Sequence, residues 1–474
     1  MEPILLIAIP LLLAFLSILA KKSAKYVLVA ASLFNVVAAM TLIKGIYTIG
    51  GFKAPFGISL VVDAYSMYSV MFLNVLFALV VILAFKQASE ISSILLVALA
   101  ALNGMLLTGD LFNLFVFLEI ASIAAFMIVA TGKRYLAVLN YLVLATVGSS
   151  LYLLGVVILY AQYGTLNMMA MNEAMQGGVA SGIPLIFIFV GLAVEVKLVP
   201  MNGWVKDVLK DSNAFIGPMI ASIYAGVMLM VFGRIVADVL VLSDGLKLTF
   251  GLIAVLTIIV GESAAFSSKG IREILLYSSI GQSGVAAVLF INGIVAGAMM
   301  VVLANVVVKF VMFVLAGHMA ESGTDQVDEL KGIFRRNPLN GLAFTISGLS
   351  LIGLPMFFGF AVKMNVLLNL FKADLWWIPI VILVASLVEG AYILRMLVAL
   401  WNPGDEGQKS TDDLVTDRTY IIKRVVCMTT LLVSLCLVVL GFAPSQVVNK
   451  ANEAGAAFSG NVSTYIITEE GGNH

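Results

Sequence analysis

About fourteen stretches of this chain run for roughly 18 residues or more with almost no charge, and they fix the solvent in which it folds. A helix of that length matches the hydrocarbon thickness of a bilayer. No water reaches the backbone inside lipid, so each segment has to close its own hydrogen bonds as a helix. The expected fold class is an all-α integral membrane protein of about 14 transmembrane helices. The spans read as 3–20, 26–48, 62–85, 91–108, 111–131, 136–161, 183–202, 214–241, 247–267, 271–291, 294–318, 340–370, 374–401 and 422–442. Only 11% of the 474 residues are charged, against roughly 25% in soluble domains, which excludes a soluble enzyme. The formal net charge is zero, so no basic face points to nucleic acid.

Lysine and arginine are unevenly divided between the two sets of loops. Loops after odd-numbered spans hold 17 of them, whereas the opposite loops, edges and termini hold 5. The positive-inside rule then places the odd loops in the cytoplasm and both termini outside, in a multi-pass protein of the cell membrane. The first apolar run begins almost at Met1, and its basic cluster Lys21, Lys22 and Lys25 follows it. A signal peptide carries that charge in front, so the run reads as a retained membrane helix.

Several classes of chemistry have no residues to perform them. Cys427 and Cys436 stand nine apart in the last span, a spacing that fits no metal or redox motif, and the two histidines are His318 and His474. No Gly-rich phosphate loop and no Ser/His/Asp arrangement is present. The chain itself is expected to carry no catalytic group, cofactor or metal.

What it carries instead is charge at membrane depth. Glu119 lies near the middle of the apolar run from Leu111 to Ala130. A charged group there costs roughly 2.5–3.5 kcal/mol on insertion scales, and in general it faces protein or water and has a function. Five basic residues fall inside spans, namely Lys197, Arg234, Lys309, Lys363 and Arg395, with Glu195, Glu262 and Glu389 at similar depth and Asp63, Asp110 and Asp238 near span ends. So many ionisable groups are the signature of an ion pathway. Two spans also hold a proline beside the charge. Pro200 follows Lys197 in the seventh, and Pro355 precedes Gly359 and Lys363 in the twelfth. An interior proline removes one helical hydrogen bond, and broken helices of this kind sit at ion sites in transporters. The two prolines are five spans apart. That spacing suggests two inverted five-helix repeats, 91–241 and 247–401, with broken helices 7 and 12. Helices 1–3 (1–90) precede them, and helix 14 with its tail (402–474) follows.

At these residues the chain resembles the antiporter-like membrane subunits shared by respiratory complex I, Mrp-type cation/proton antiporters and energy-converting membrane hydrogenase or sulfur reductase complexes. The resemblance rests on Val61-Val62-Asp63-Ala64-Tyr65-Ser66, Thr108-Gly109-Asp110-Leu111-Phe112-Asn113 continuing to Glu119, and Pro200-Met201-Asn202-Gly203-Trp204. Ile271-Arg272-Glu273 continuing to Ile280, Lys309-Phe310 and Gly353-Leu354-Pro355 with Lys363 complete it. The Gly109–Phe117 run looks most like the Mrp D-type and archaeal hydrogenase branch. The resemblance implies that a fifth-helix carboxylate, Glu119, pairs with a lysine of the broken seventh helix. It also implies that Lys309 and Lys363 continue a row of polar groups relaying protons through water. Iron–sulfur or nickel–iron centres, where such a complex is redox-driven, would belong to partner subunits.

Three departures alter the first half of that relay. The seventh-helix lysine is due at 195, where this chain has Glu195; its own lysine is Lys197, about 200° further round a regular helix. The eighth-span lysine is due at Gly226, and the eleventh-span histidine at Asn305. Glu119, Glu195, Lys197, Lys309 and Lys363 are the relay candidates, with Asn305, Glu389 and Tyr277 as accessory ones. Arg234 and Asp238, at i and i+4, read as a structural pair, and Arg395 as a fixed anchor. The leading function is an ion-translocating subunit, moving protons and exchanging them for sodium in some versions, within a complex of other antiporter-like and small membrane subunits. The alternative is a non-conducting docking subunit of such a complex, and a stand-alone transporter of an organic substrate is the third reading.

Overall fold

The computed structural model describes residues 1–52, 57–176, 182–321, 323–403 and 417–458. Lys53 and Lys409, two of the loop lysines counted above, and His474 lie outside them. The described residues are overwhelmingly helical. Among the described residues, nine helices of 19 to 29 residues are long and apolar enough to cross a bilayer: Ala64–Leu83, Leu111–Ala130, Tyr135–Tyr163, Ile216–Val239, Asp244–Ser267, Ile271–Ile291, Val295–Ala320, Trp377–Trp401 and Arg424–Phe442. Five shorter apolar helices accompany them: Leu5–Leu19, Ala24–Met40, Ser92–Leu107, Gly182–Glu195 and Pro338–Ile352.

The expectation of an all-α chain needs one correction. Helix Ala24–Met40 stops eight residues before the expected end of its span, and Gly45–Thr48 pairs antiparallel with Ser59–Val62, Gly45 opposite Val62. The reason is local. Ile46, Tyr47 and Thr48 face Val61, Leu60 and Ser59, a run rich in residues that favour a pleated backbone, and pairing satisfies N–H groups that no helix serves. Asp63 then starts the next helix as a capping box, accepting the Ser66 N–H at 2.7 Å while its own N–H donates to Ser66 Oγ at 3.0 Å.

Burial grades from centre to rim. Ile216–Val239, Ile271–Ile291 and Val295–Ala320 are almost wholly covered, whereas Tyr135–Tyr163, Trp377–Trp401 and Arg424–Phe442 leave most of their apolar surface outward. Val295–Ala320 is the axis. It packs on Ile271–Ile291, on Pro338–Ile352 and Phe358–Lys372, on the π-helical turn Met219–Tyr224, and on the amphipathic helix Ser445–Ala456. Close approach between helices depends on small residues. A Cβ at Gly191 would stand 2.5 Å from the Gly148 carbonyl oxygen, and one at Gly261 would stand 2.4 Å from the Gly281 nitrogen.

Two helices break where the prolines stand. Gly182–Glu195 ends in non-helical residues, with a cis Val199–Pro200 peptide, before the short helix Gly203–Leu209. Pro338–Ile352 ends at Gly353 with φ +84°, and Phe358–Lys372 resumes after Met356 at φ +78°.

Candidate functional site

The Gly-Asp-Leu-Phe-Asn motif builds the start of the Glu119 helix. Asp110 caps it by accepting the Asn113 N–H at 2.7 Å, and Gly109 leaves room for Ser59 and Val61 of the small sheet. Nine residues from that cap, at about 1.5 Å per residue, Glu119 is carried roughly 13 Å into the bundle. Glu119 is half-buried and makes no hydrogen bond or ion pair with another described residue.

The Glu119–Lys197 pair implied by the family pattern does not form. Lys197 has left the helix, with φ +65°, and is 2% exposed, and its ammonium donates to Ser279 Oγ at 2.8 Å. A helical wheel places residue 197 by rotation from 195, which no longer applies once the chain is outside the helix. Glu195, the last residue of Gly182–Glu195, is the group that comes within electrostatic reach of Glu119. Gly226 faces Val306, and a Cβ there would meet Val306 Cγ2 at 2.6 Å.

The second half of the bundle is closed by pairs. Lys309, fully buried in the axial helix, donates to Ser278 Oγ at 2.7 Å, next along from the serine that holds Lys197. Ser278 also lies against the Tyr392 hydroxyl, and that hydroxyl donates to Glu262 Oε2 at 3.0 Å. Lys363 reaches back across its break. It donates to the Ile352 carbonyl at 2.9 Å, an orphan of the helix end, and pairs with Glu389 Oε2 at 2.8 Å. The other oxygen of Glu389 accepts from Gln282 at 2.9 Å. Glu262, Gln282, Asn305, Ser350, Lys363 and Glu389 line one cavity of about 40 Å³, room for a few water molecules. Asn305 Oδ1 is buried there without a partner among the described residues, and it is the kind of acceptor water satisfies.

Tyr277 stands differently from its sequence reading, and the expected Arg234–Asp238 pair forms with a further partner. Tyr277 is outside the row: it sits beside Lys206, whose ammonium pairs with Glu273 at 3.1 Å. Arg234 binds Asp238, its i+4 neighbour, at 3.0 Å, and also Asp63 at 2.6 Å, with the rings of Tyr65 and Phe458 against its guanidinium. Arg395 anchors the end of Asp244–Ser267 through the Phe266 and Ser268 carbonyls at 3.0 and 3.1 Å. His318 lies near a helix end, 3.1 Å from Glu321. Sequence reasoning misses Glu262 and Tyr392 as a site. The available signal is Glu262 at the same depth as Glu389, with Tyr392 one helical turn beyond Glu389.

A sequence model of the NADH:quinone oxidoreductase/Mrp antiporter transmembrane family matches residues 108–388, from two residues before the Asp110 cap to the residue before Glu389. The chain belongs to that family. It is 31% identical over 437 residues to NADH-quinone oxidoreductase subunit N of Desulforudis audaxviator, covering 83% of this chain and 85% of that one. It is 28% identical to the D-type Na(+)/H(+) antiporter subunit of Bacillus subtilis, covering 86% and 88%. Its fold matches a chain in the structure of the membrane-bound sulfane sulfur reductase, an archaeal respiratory membrane complex, with a TM-score of 0.87 and 29% identity over 98% of this chain and 99% of that one. The family inferred from the motifs is the family found, and this member is a multi-pass antiporter-like membrane subunit.

Proposed function

We propose that the chain is an ion-translocating subunit of a multisubunit membrane complex, either of the Mrp antiporter type or redox-driven like complex I and the sulfur reductase. It would sit in the cell membrane with both termini outside. Nine long and five short apolar helices support 14 crossings, and the breaks at Pro200 and Pro355 support two inverted repeats, 91–241 and 247–401, flanked by 1–90 and 402–474. Redox centres of such a complex belong to its partner subunits.

One observation carries the reading. Lys197, Ser279, Ser278, Lys309, Tyr392 and Glu262 form a buried succession of hydrogen-bonding groups, and the cavity continues it to Glu389 and Lys363. Lysine releases its proton readily when desolvated, and serine and tyrosine hydroxyls both donate and accept. Protons would therefore pass among Lys363, Glu389, Glu262, Lys309 and Lys197, with water in the cavity as the link. A docking subunit that only had to hold its partners has no need of three ammonium groups below the surface.

The test is proton translocation by inside-out vesicles containing the intact complex. Lys309→Ala and Ser278→Ala are expected to lower it more than about tenfold, about 1.4 kcal/mol of barrier, with assembly unchanged on a native gel. Translocation at the wild-type rate in both variants would leave the non-conducting docking subunit as the better account.

A further inference from the structure

Lys197 stands where the Gly182–Glu195 helix ends, and that end has an identifiable form. The Leu198 N–H donates to the Ala193 carbonyl at 2.9 Å, and the Lys197 N–H donates to the Val194 carbonyl at 3.3 Å. These are the two bonds of a Schellman cap, whose left-handed position is usually a glycine. Here Lys197 occupies it, at φ +65°. A residue with a side chain stays in that conformation only where its surroundings hold it there. The cap accounts for the backbone as far as Leu198, and the next donor is the N–H of Val199.

That donor is met from another helix. Thr257 of Asp244–Ser267, 0% exposed, accepts the Val199 N–H on Oγ1 at 3.0 Å. Its own hydroxyl proton goes to the Ile253 carbonyl, one turn back, at 2.8 Å. A hydroxyl has one proton and two lone pairs, so with the proton committed the oxygen faces the break as an acceptor. Pro200 follows with no N–H to offer, and the Met201 N–H returns to the Leu198 carbonyl at 2.7 Å. Thr257 therefore ties the chain leaving the cap to a neighbouring helix.

The other end of the lysine is tied to the next helix along. The Lys197 ammonium donates to Ser279 of Ile271–Ile291. The two helices meet backbone to backbone: a Cβ at Gly284 would stand 2.7 Å from the Ala254 carbonyl oxygen, in addition to the approach of Gly261 to Gly281. One tightly packed helical hairpin thus grips Lys197 twice, by the backbone two residues on and by the tip of the side chain.

We propose that Thr257 is a positioning residue. By accepting the Val199 N–H it holds Lys197 in its left-handed conformation and keeps the ammonium on Ser279, which joins the first broken helix to the row in the second half of the bundle. Thr257 handles no proton in transit and acts through Lys197. The inference rests on the ion-translocating reading for its effect on rate.

Proton translocation by inside-out vesicles containing the intact complex tests it, together with a cryo-EM structure of the variant complex. Thr257→Val keeps the branched shape and removes the acceptor. It should slow translocation by more than about tenfold, since misplacing a reacting group by ~1 Å can cost on the order of a hundredfold. The map should show the Lys197 ammonium away from Ser279, with Asp244–Ser267 in place. Thr257→Ser restores the acceptor and should run near the wild-type rate. Thr430→Val is the control, because Thr430 is equally buried and its hydroxyl bonds within its own span, to the Val426 and Cys427 carbonyls at 2.8 and 3.1 Å. It should leave the rate unchanged. A wild-type rate in Thr257→Val, a rate in Thr257→Ser as low as that of the valine variant, or an ammonium still on Ser279 in the Thr257→Val map overturns the role. Where Thr257→Val does not assemble on a native gel, Thr257→Ala takes its place under the same criteria. If Thr257→Val translocates normally while Lys309→Ala does not, the positioning role fails and the relay stands. If Lys309→Ala and Ser278→Ala translocate normally, the relay fails, and the place of the Lys197 ammonium in the Thr257→Val map still decides the role of Thr257.

Discussion

The two broken helices make the same kind of gap and fill it differently. In the second half the free carbonyl at the break, Ile352, is met by the Lys363 ammonium, and the same ammonium pairs with a carboxylate that is 1% exposed. In the first half the Val194 carbonyl is met by the neutral indole of Trp204 at 3.0 Å, and the ammonium of Lys197 goes to a serine. Charge is therefore balanced locally at one break and left open at the other. A balanced pair can move a proton within itself, whereas Glu195 Oε1 is buried with no partner among the described residues.

The largest expected effect breaks the balanced side. Lys363→Ala strands Glu389, and removing one partner of a buried pair costs about 3–5 kcal/mol. Thermal unfolding of the complex should show it, with the double variant Lys363→Ala/Glu389→Leu recovering most of the loss. A single variant as stable as wild type would mean that the pair contributes little. The unbalanced side should respond with the opposite sign. Glu195→Gln removes a buried carboxylate whose Oε1 has no partner among the described residues, so it should stabilise the chain by about 1 kcal/mol. Destabilisation of similar size would show that Glu195 already has a countercharge.

The smallest effect lies outside both halves, at the helix Ser445–Ala456. Hydrogen bonds from Lys44 and Tyr68 hold the Glu453 carboxyl below its ordinary range. A depressed carboxylate contributes stability that is present above its unfolded value, about 4.3, and is lost as pH falls through the folded one. Acidification should thus loosen this helix first, by a small amount that salt screens, since both partners are exposed. Protection factors of 445–456 against pH, with the intrinsic pH dependence of amide exchange divided out, read it, and protection that rises on acidification would contradict the assignment.

How much of this is legible in the sequence depends on whether a property is local. Glu119, Lys309 and Lys363 can be read because a charge in an apolar run is visible without neighbours, and the breaks because proline cannot continue a helix. Partnership is not legible. Lys363 and Glu389 are 26 residues apart, and Glu262 and Tyr392 are 130 apart, joined by helices whose faces only packing decides. Asp63 reads as a span end, yet it is the closer partner of Arg234, at 2.6 Å against 3.0 Å for the i+4 residue. Lys197 escapes the sequence for a different reason. Its direction follows from one left-handed residue, and nothing in a β-unbranched lysine announces a positive φ.

The crossing of Asp244–Ser267 with Ile271–Ile291 carries a further meaning. Glu262 Oε1 lies 2.4 Å from where a Cβ on Gly281 would be, so the carboxylate occupies the volume that a methyl group would take. At this crossing the acid is also a spacer. A methyl at 281 would push a flexible side-chain tip and leave the backbone in place, unhooking Glu262 from Tyr392 while the two helices kept their distance. The absent side chain is the means by which the fold separates the wiring of the bundle from its carpentry.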